Sequence, residues 1–128
     1  MDTKNLTGIK ILIVEDDLSS RLYLNKILEK TGATLLNAGD GQEAIDISMD
    51  NPDIDIILMD IQLPVLDGYS SAKKIREFRN NIVIIAQTAY GLSGDMENIL
   101  LSGFDDYIIK PIYSNQLIEK LIGFLPKK

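Results

Sequence analysis

The sequence IVIIA at residues 82–86 is apolar at every position, and IILM at residues 56–59 has the same character. A strand that is covered by helices on both faces has this composition, whereas a strand with one face in solvent alternates between apolar and polar residues. The two runs therefore predict interior strands of a parallel sheet. With three further apolar runs, the predicted strands are Ile9–Val14, Thr34–Ala38, Ile54–Met59, Ile82–Ala86 and Tyr107–Ile109.

The stretches between these runs have the spacing of amphipathic helices. Leu24, Ile27 and Leu28 share one face of the first stretch, and Leu117 and Leu121 share one face of the last. Parallel strands joined by helices require crossover connections, which are right-handed in nearly all proteins. The sequence therefore predicts an α/β protein, a doubly wound (βα)₅ fold with a five-stranded parallel sheet.

Helix boundaries are also predicted from local chemistry. Gly32 is expected to end the first helix and Gly103 the fourth, because glycine adopts the left-handed conformation that follows many helices. Asp40, with Glu43 three residues later, resembles a capping box at the start of the second helix. Ser114 is expected to cap the fifth helix.

Composition limits the classes of function. The chain has 128 residues and is expected to form a single domain, 1–128, with its core at about 9–125. Its net charge of −6 argues against contact with nucleic acid or an anionic membrane. The absence of Cys and His excludes disulfides, His-dependent catalytic triads and a phosphohistidine in this chain. No apolar run reaches the roughly 18 residues of a membrane helix, and we expect a cytoplasmic location.

Polar side chains stand shortly after four of the five predicted strands. Glu15 and Asp16 follow the first strand, Asp60 the third, Thr88 the fourth and Lys110 the fifth. In open α/β sheets, ligands bind outside the carboxyl ends of the strands, near the point where the strand order reverses. If these four strands are neighbours in the sheet, the five side chains converge on one site.

Three carboxylates in such a site repel one another. Two unit charges about 4 Å apart cost roughly 4 kcal/mol at an effective dielectric constant near 20. Lys110 supplies one positive charge. Carboxylate oxygens are ligands that Mg²⁺ prefers, so Mg²⁺, with Mn²⁺ as a substitute, is expected to supply the rest of the positive charge. A divalent cation, a lysine and a hydroxyl form a clamp for phosphoryl oxygens. Asp60 is then the candidate nucleophile for an aspartyl phosphate.

Four segments resemble those of the receiver (response-regulator) domain of two-component signalling. They are ILIVEDD at residues 11–17, ILMDIQLPVLDG at 57–68, IIAQTAYG at 84–91 and GFDDYIIKPI at 103–112. They occur in order, each at a predicted strand end, and the resemblance covers about residues 9–125. The second and fourth segments are most similar to receivers of hybrid histidine kinases. The resemblance implies the flavodoxin-like receiver fold, with strand order 2-1-3-4-5.

The resemblance implies roles for the acidic residues and their neighbours. Asp60 would be the phosphoacceptor, and Asp16 and Asp60 would bind Mg²⁺ through their carboxylates. Gln62 would offer the metal its backbone carbonyl. Glu15 stands where many receivers have Asp, and its longer side chain would assist through a water molecule. Gln62 and Tyr90 occupy positions that tune the lifetime of the phosphorylated form in the family.

The other motif residues would bind the phosphoryl group and respond to it. Thr88 and the backbone N–H of Ala89 would donate hydrogen bonds to phosphoryl oxygens, and Lys110 would pair with one of them. The Lys110–Pro111 peptide bond would be cis. Tyr107 would be the aromatic switch residue. Together with Thr88 it would transmit phosphorylation to the face formed by the fourth helix, the fifth strand and the fifth helix.

These roles predict a phosphoprotein of a phosphorelay. It would accept a phosphoryl group from a phosphohistidine on a histidine kinase or a histidine phosphotransfer protein. It would not act as an enzyme on other molecules, because it would catalyse only its own phosphorylation and dephosphorylation. The sequence leaves open the downstream target, a homodimer of the phosphorylated form, and whether the chain is a free-standing regulator or part of a hybrid kinase.

Other functions on the same fold are weighed against this one. A flavodoxin-like FMN binder needs a phosphate-binding loop after the first strand, where acidic residues 15–17 would repel a phosphate. An aspartate phosphatase acting on small molecules typically has a second Asp where Gln62 stands. A phosphorylation-independent interaction module is the remaining alternative. It would be expected to lack an acid, the Thr or the Lys, and none of these is missing here.

Overall fold

The computed structural model describes residues 5–89 and 93–125. Five strands and five helices alternate along the chain, as the apolar runs and helical spacing predicted. The strands are β1 (Lys10–Val14), β2 (Thr34–Ala38), β3 (Ile56–Asp60), β4 (Val83–Thr88) and β5 (Asp106–Ile109). The helices are α1 (Leu18–Glu29), α2 (Gly41–Asp50), α3 (Gly68–Phe78), α4 (Ser93–Leu101) and α5 (Ser114–Gly123).

The five strands form one parallel sheet in the order β2-β1-β3-β4-β5. This confirms the predicted fold class and strand order. The chain moves outward from β1 to β2 and then in the opposite direction from β3, so the strand order reverses between β1 and β3. Register pairs Val14 with Met59 and Asp60 with Gln87. The carboxyl ends of β1, β3 and β4 therefore meet at one edge of the sheet, where ligands bind in this class of fold.

Helices cover both faces of the sheet, which explains the continuous apolar runs. On one face, residues of β1, β3 and β4 such as Leu12, Ile57 and Ile84 pack with α2, α3 and α4. On the other face, alternate residues of the same strands pack with α1 and α5. Leu6 is fully buried in this second cluster, so the core extends further toward the N-terminus than the predicted start at residue 9. No helix among the described residues combines the length and apolar character that crossing a bilayer requires.

Most helix boundaries follow the predicted chemistry. Gly32 and Gly103 have φ of +86° and +96°, as expected for residues that end helices. The Asp40 side chain accepts a hydrogen bond from the Glu43 N–H at 2.8 Å. The Glu43 carboxylate accepts in return from the N–H of Gly39 at 2.6 Å, one residue before the position that a capping box uses.

The predicted cap of the fifth helix is wrong. Ser114 is the first residue of α5, and the cap position belongs to Tyr113, which makes no side-chain capping hydrogen bond. A side chain inside the first turn is not placed to accept hydrogen bonds from the amides that a cap residue satisfies.

Some strand ends also differ from prediction by one or two residues. Asp60 and Thr88 are the last residues of β3 and β4 rather than residues of the loops that follow.

Candidate functional site

Three acidic residues, 15–17, follow β1, and they have different roles in the structure. The Asp17 carboxylate caps α1, accepting hydrogen bonds from the Ser20 N–H at 2.9 Å and the Ser20 hydroxyl at 2.8 Å. These bonds lower the pKa of Asp17. The Asp17 side chain is thus used to cap α1, whereas the Glu15 and Asp16 side chains can take part in a site at the edge of the sheet.

Glu15 is held from several directions. Its N–H donates to the Ala38 carbonyl at 3.0 Å, and its Oε2 accepts from the Asp17 N–H at 3.1 Å. The Arg21 guanidinium on α1 donates from Nε and Nη2 to the Glu15 carbonyl, at 3.2 and 3.0 Å. The side chain is 1% exposed. Arg21 therefore fixes the backbone that carries Glu15, a role that no sequence motif indicated.

Asp60 lies at the end of β3 with a donor on each carboxylate oxygen. Its Oδ1 accepts from the Gln62 N–H at 2.8 Å, and its Oδ2 accepts from the Lys110 ammonium at 2.7 Å. The same ammonium lies 3.4 Å from Glu15 Oε1. Lys110 is itself positioned by its N–H, which donates to the carbonyl of Thr88 at 2.7 Å. Residues that follow β1 and β5 thus meet the last residues of β3 and β4 at this edge of the sheet.

Glu15, Asp16 and Asp60 form a group that can hold a metal ion. One carboxylate oxygen from each lies within 4.8 Å of the others. Glu15 and Asp60 are buried and Asp16 is exposed, so the group opens to solvent on one side. Three carboxylates and one ammonium leave a formal charge of −2, and oxygen-only ligands suit Mg²⁺.

Burial and charge shift the pKa values of the two side chains that face Asp60. Burial raises the pKa of Glu15, and the neighbouring charge of Asp60 raises it further, against the opposing effects of the Asp17 N–H and of Lys110. Burial alone would lower the pKa of Lys110, but its hydrogen bond and charge interaction with Asp60, assisted by Glu15, raise it. The ammonium therefore stays protonated at neutral pH.

The other predicted residues are placed around this group. Thr88 is buried at the end of β4, and Ala89 follows it at the exposed edge. Tyr107 on β5 is half-buried against the core on the α2–α4 side, and the Lys120 ammonium lies 5.9 Å from the centre of its ring. The Lys110–Pro111 peptide bond is cis, as predicted. Tyr90 lies outside the described residues.

Comparison with known proteins identifies the family. The model of the response regulator receiver domain matches residues 11–122 of the chain. The chain is a receiver domain. Hybrid signal transduction histidine kinase I of Dictyostelium discoideum is 39% identical to it over 118 residues, which cover 86% of the chain and 7% of that kinase. The receiver domain thus spans a small part of this relative's length.

Two solved structures are similar to the receiver domain in fold and sequence. One is the receiver domain of the sensor histidine kinase PA1611 from Pseudomonas aeruginosa, with a magnesium ion coordinated in the active-site cleft. It is 38% identical with a TM-score of 0.80, over 91% of this chain and 99% of that one. The other comes from a co-crystal of the Saccharomyces cerevisiae phosphotransfer protein Ypd1 with the receiver domain of Ssk1. It is 35% identical with a TM-score of 0.84, over 89% and 86% of the two chains.

Gly68 is a site residue to which the sequence analysis assigned no role. It begins α3, and its N–H donates to the Ile61 carbonyl at 3.1 Å. A Cβ atom at this position would lie 2.5 Å from the Asp60 carbonyl oxygen and 2.6 Å from the Ile61 Cα. The start of α3 is therefore packed against the backbone of the candidate phosphoacceptor. The signal was present in LDG at residues 66–68, but glycine also occurs at helix starts that make no such close contact.

The loop between β3 and α3 is tight. Val65 has φ of +68°, which is rare for a β-branched residue, and the Leu66 N–H donates to the Pro64 carbonyl at 2.7 Å across it. Val65 is 79% exposed, so burial of its side chain does not compensate for this strain. The loop therefore holds an unfavourable backbone conformation a few residues after Asp60.

The raised pKa of Glu15 predicts a pH dependence of stability in the metal-free receiver domain. The folded state keeps the Glu15 proton at pH values where the unfolded chain, with the ordinary value of 4.5, has lost it. The free energy of unfolding of the wild type therefore falls as pH rises above 4.5 through the raised pKa. The loss is about 1.4 kcal/mol for each unit of elevation. Glu15→Gln removes this contribution.

Urea unfolding in the presence of a chelator, from about pH 4 to about pH 8, measures both proteins. We expect the difference in unfolding free energy, wild type minus Glu15→Gln, to decrease with rising pH. Titration of Lys110 does not interfere, because its pKa is raised from an ordinary value of 10.5. A difference that stays constant across this range would contradict the prediction.

Proposed function

We propose that this receiver domain accepts a phosphoryl group on Asp60 as one step of a two-component phosphorelay. The observation that carries the proposal is the pairing of Asp60 Oδ2 with the Lys110 ammonium at 2.7 Å inside a group of three carboxylates. A lysine that already contacts the nucleophile needs little movement to reach a phosphoryl oxygen bound to it. Family membership supports the same function.

The donor in this proposal is a phosphohistidine on another protein, because the chain has no His. An Asp60 carboxylate oxygen attacks phosphorus in line, and the new O–P bond forms as the N–P bond breaks. The imidazole of the donor leaves with the electron pair of that bond. Lys110 neutralises charge on the transferred group, and the Gln62 N–H orients the Asp60 carboxylate. Positioning and charge stabilisation dominate catalysis of this kind.

The residues present fit a magnesium ion. Asp16 and Asp60 would bind it through their carboxylates, Gln62 through its carbonyl, and Glu15 through water, with Mn²⁺ as a substitute. The charge of −2 and the all-oxygen ligands support this assignment. When bound, the ion supplies positive charge that offsets repulsion between the carboxylates and the incoming phosphoryl group. Glu15 is the buried member of the group that also pairs with Lys110, at 3.4 Å, and this supports an indirect role.

Phosphorylation would then be transmitted by Thr88 and Tyr107. The phosphoryl group adds about −1.5 to −2 charge and three acceptor oxygens. The Thr88 hydroxyl and the Ala89 N–H would donate to those oxygens, and the half-buried Tyr107 ring would turn inward. Ile109 on β5, 40% exposed, supplies an apolar side chain on the α4–β5–α5 face that such a change would alter.

The proposed partners are a histidine kinase or a histidine phosphotransfer protein as donor, and a protein target recognised through the α4–β5–α5 face. The co-crystal of Ypd1 with the Ssk1 receiver supports a phosphotransfer protein as a partner of such domains. We propose no catalysis on other substrates and no contact with nucleic acid or membrane, in line with the charge of −6. The chain would act as one domain, either free-standing or within a hybrid kinase.

The experiment that tests the function is phosphorylation of the purified domain by phosphorylated kinases or phosphotransfer proteins, with and without Mg²⁺. We expect transfer with Mg²⁺ and background labelling in excess chelator, because the carboxylates then repel the phosphoryl group. Beryllofluoride with Mg²⁺ should also shift amide resonances around Thr88 and Tyr107. Absence of both transfer and shifts would favour the phosphorylation-independent interaction module.

A further inference from the structure

A cavity of about 260 Å³ lies beside the acidic site, between α1 and the loop from β5 to α5. Most of its wall is apolar or aromatic. The residues that form this wall are Tyr23, Leu24, Pro111, Ile112 and Tyr113. Leu24 is buried, whereas Tyr23 and Tyr113 are about half exposed and stand where the cavity opens to solvent.

Among the residues that the structure describes, one buried oxygen in the wall of this cavity accepts no hydrogen bond. Gln87 on β4 lines the cavity and is fully buried. Its Nε2 donates to the Leu58 carbonyl at 3.3 Å, but within the described part of the chain its Oε1 accepts no hydrogen bond. A buried carbonyl oxygen without a donor is costly, and native proteins contain few of them. The terminal torsion of glutamine is broad, so Oε1 can be reoriented toward a donor by rotation of the side-chain amide.

Apart from Gln87 itself, three of the four side-chain donors that line the cavity are engaged elsewhere, and the fourth, the Tyr113 hydroxyl, belongs to a residue that is 58% exposed. The Ser20 hydroxyl donates to Asp17, and the Tyr23 hydroxyl donates to the Ile112 carbonyl at 2.6 Å. The Lys110 ammonium is held by Asp60 and Glu15. A bound molecule is therefore the natural source of a donor for Gln87.

We propose that this cavity binds a small neutral amphiphile of the phenol class, one aromatic ring with a hydroxyl group. The ring would pack against the apolar wall, and the hydroxyl would donate to Gln87 Oε1. Neutrality follows from the charges nearby: Lys110 repels a cationic ligand, and the carboxylates of Glu15 and Asp60 behind it repel an anionic one. A ligand seated here contacts the lysine that pairs with Asp60.

The test uses two probes of nearly equal size, phenol and toluene, on the intact domain and on its Gln87→Met variant. Methionine keeps the length of the side chain and removes the acceptor. Binding is followed by titration of backbone amide resonances in metal-free protein. We expect the largest shifts at Leu24, Ile112 and Tyr113. The ratio of the toluene Kd to the phenol Kd should fall about tenfold from wild type to Gln87→Met, the effect of losing one hydrogen bond.

Because the comparison is a ratio of ratios, the different solubilities of the two probes cancel, as does any change in the cavity that affects both probes equally. Folding of the variant is checked by its amide spectrum and thermal melt. If neither probe shifts these amides at millimolar concentration, the proposal is wrong. The proposal is also wrong if both probes bind but the ratio of the toluene Kd to the phenol Kd is the same in the two proteins. Gln87 would then make no hydrogen bond with phenol. Shifts confined to the neighbouring groove of Lys26 and Ile118 would also overturn it.

Discussion

Asp60→Asn is expected to abolish acyl-phosphate labelling of the receiver domain by a phosphorylated histidine donor. The substitution keeps the shape of the side chain but replaces the carboxylate with a neutral amide, which is a far weaker nucleophile toward phosphorus. It also removes the charge that holds the Lys110 ammonium at 2.7 Å and one of the three carboxylates of the acidic group. The proposed nucleophile, the partner of the Lys110 ammonium and a proposed metal ligand are therefore lost together, and labelling should fall to background.

The matched control is Asp46→Asn, the same chemical change on an exposed part of α2. Its hydrogen bond from Gln42 Nε2 can be kept by the amide oxygen, so labelling and stability should equal those of the wild type. Labelling is measured as hydroxylamine-sensitive radioactivity from a donor carrying labelled phosphohistidine. Undiminished labelling of Asp60→Asn would falsify the assignment of the nucleophile, and mapping of the labelled peptide would then identify the residue that replaces it.

Gly68→Ala is expected to slow phosphorylation about 100-fold and to destabilise the domain by about 1–3 kcal/mol. The added methyl group would lie 2.5 Å from the Asp60 carbonyl oxygen and 2.6 Å from the Ile61 Cα, both of them backbone atoms. Backbone atoms cannot turn aside as a flexible side chain can, so either α3 or the end of β3 must shift. A displacement of Asp60 of this order changes its geometry toward Lys110 and toward a transferred group.

Gly123→Ala is the control, because Gly123 ends α5 and a Cβ there meets nothing within 4 Å. In a helix, alanine is more favourable than glycine, so this variant should be as stable as the wild type or more so, by up to about 1 kcal/mol. Urea unfolding and the rate of labelling are measured on both variants. Wild-type labelling by a destabilised Gly68→Ala domain would show that the contact with Asp60 serves stability alone.

Much of the fold could be predicted from residue types along the chain. Runs such as 82–86 have no polar residue to turn toward solvent, and this alone indicates strands covered on both faces. The type of each acidic-site residue and its place near the carboxyl end of a strand were also evident. Helix caps were less certain: Asp40 caps α2 as its spacing to Glu43 predicted, but Ser114 lies inside the first turn of α5. Serine is compatible with a cap and with a first turn, so residue type could not separate the two positions.

The sequence by itself thus determined a parallel (βα)₅ sheet and the residue types near the carboxyl ends of its strands, because both depend on the periodicity and position of residues along the chain. Only the tertiary structure placed Asp17 at the cap of α1 and Glu15 in the buried site, and only it brought Gly68 against the backbone of Asp60. It also left Gln87 Oε1 without a hydrogen bond from any described residue. These outcomes depend on distances between segments, up to 95 residues apart for Glu15 and Lys110. The spacing of residues along the chain carries no information about such distances, which are set by how the helices pack on the sheet.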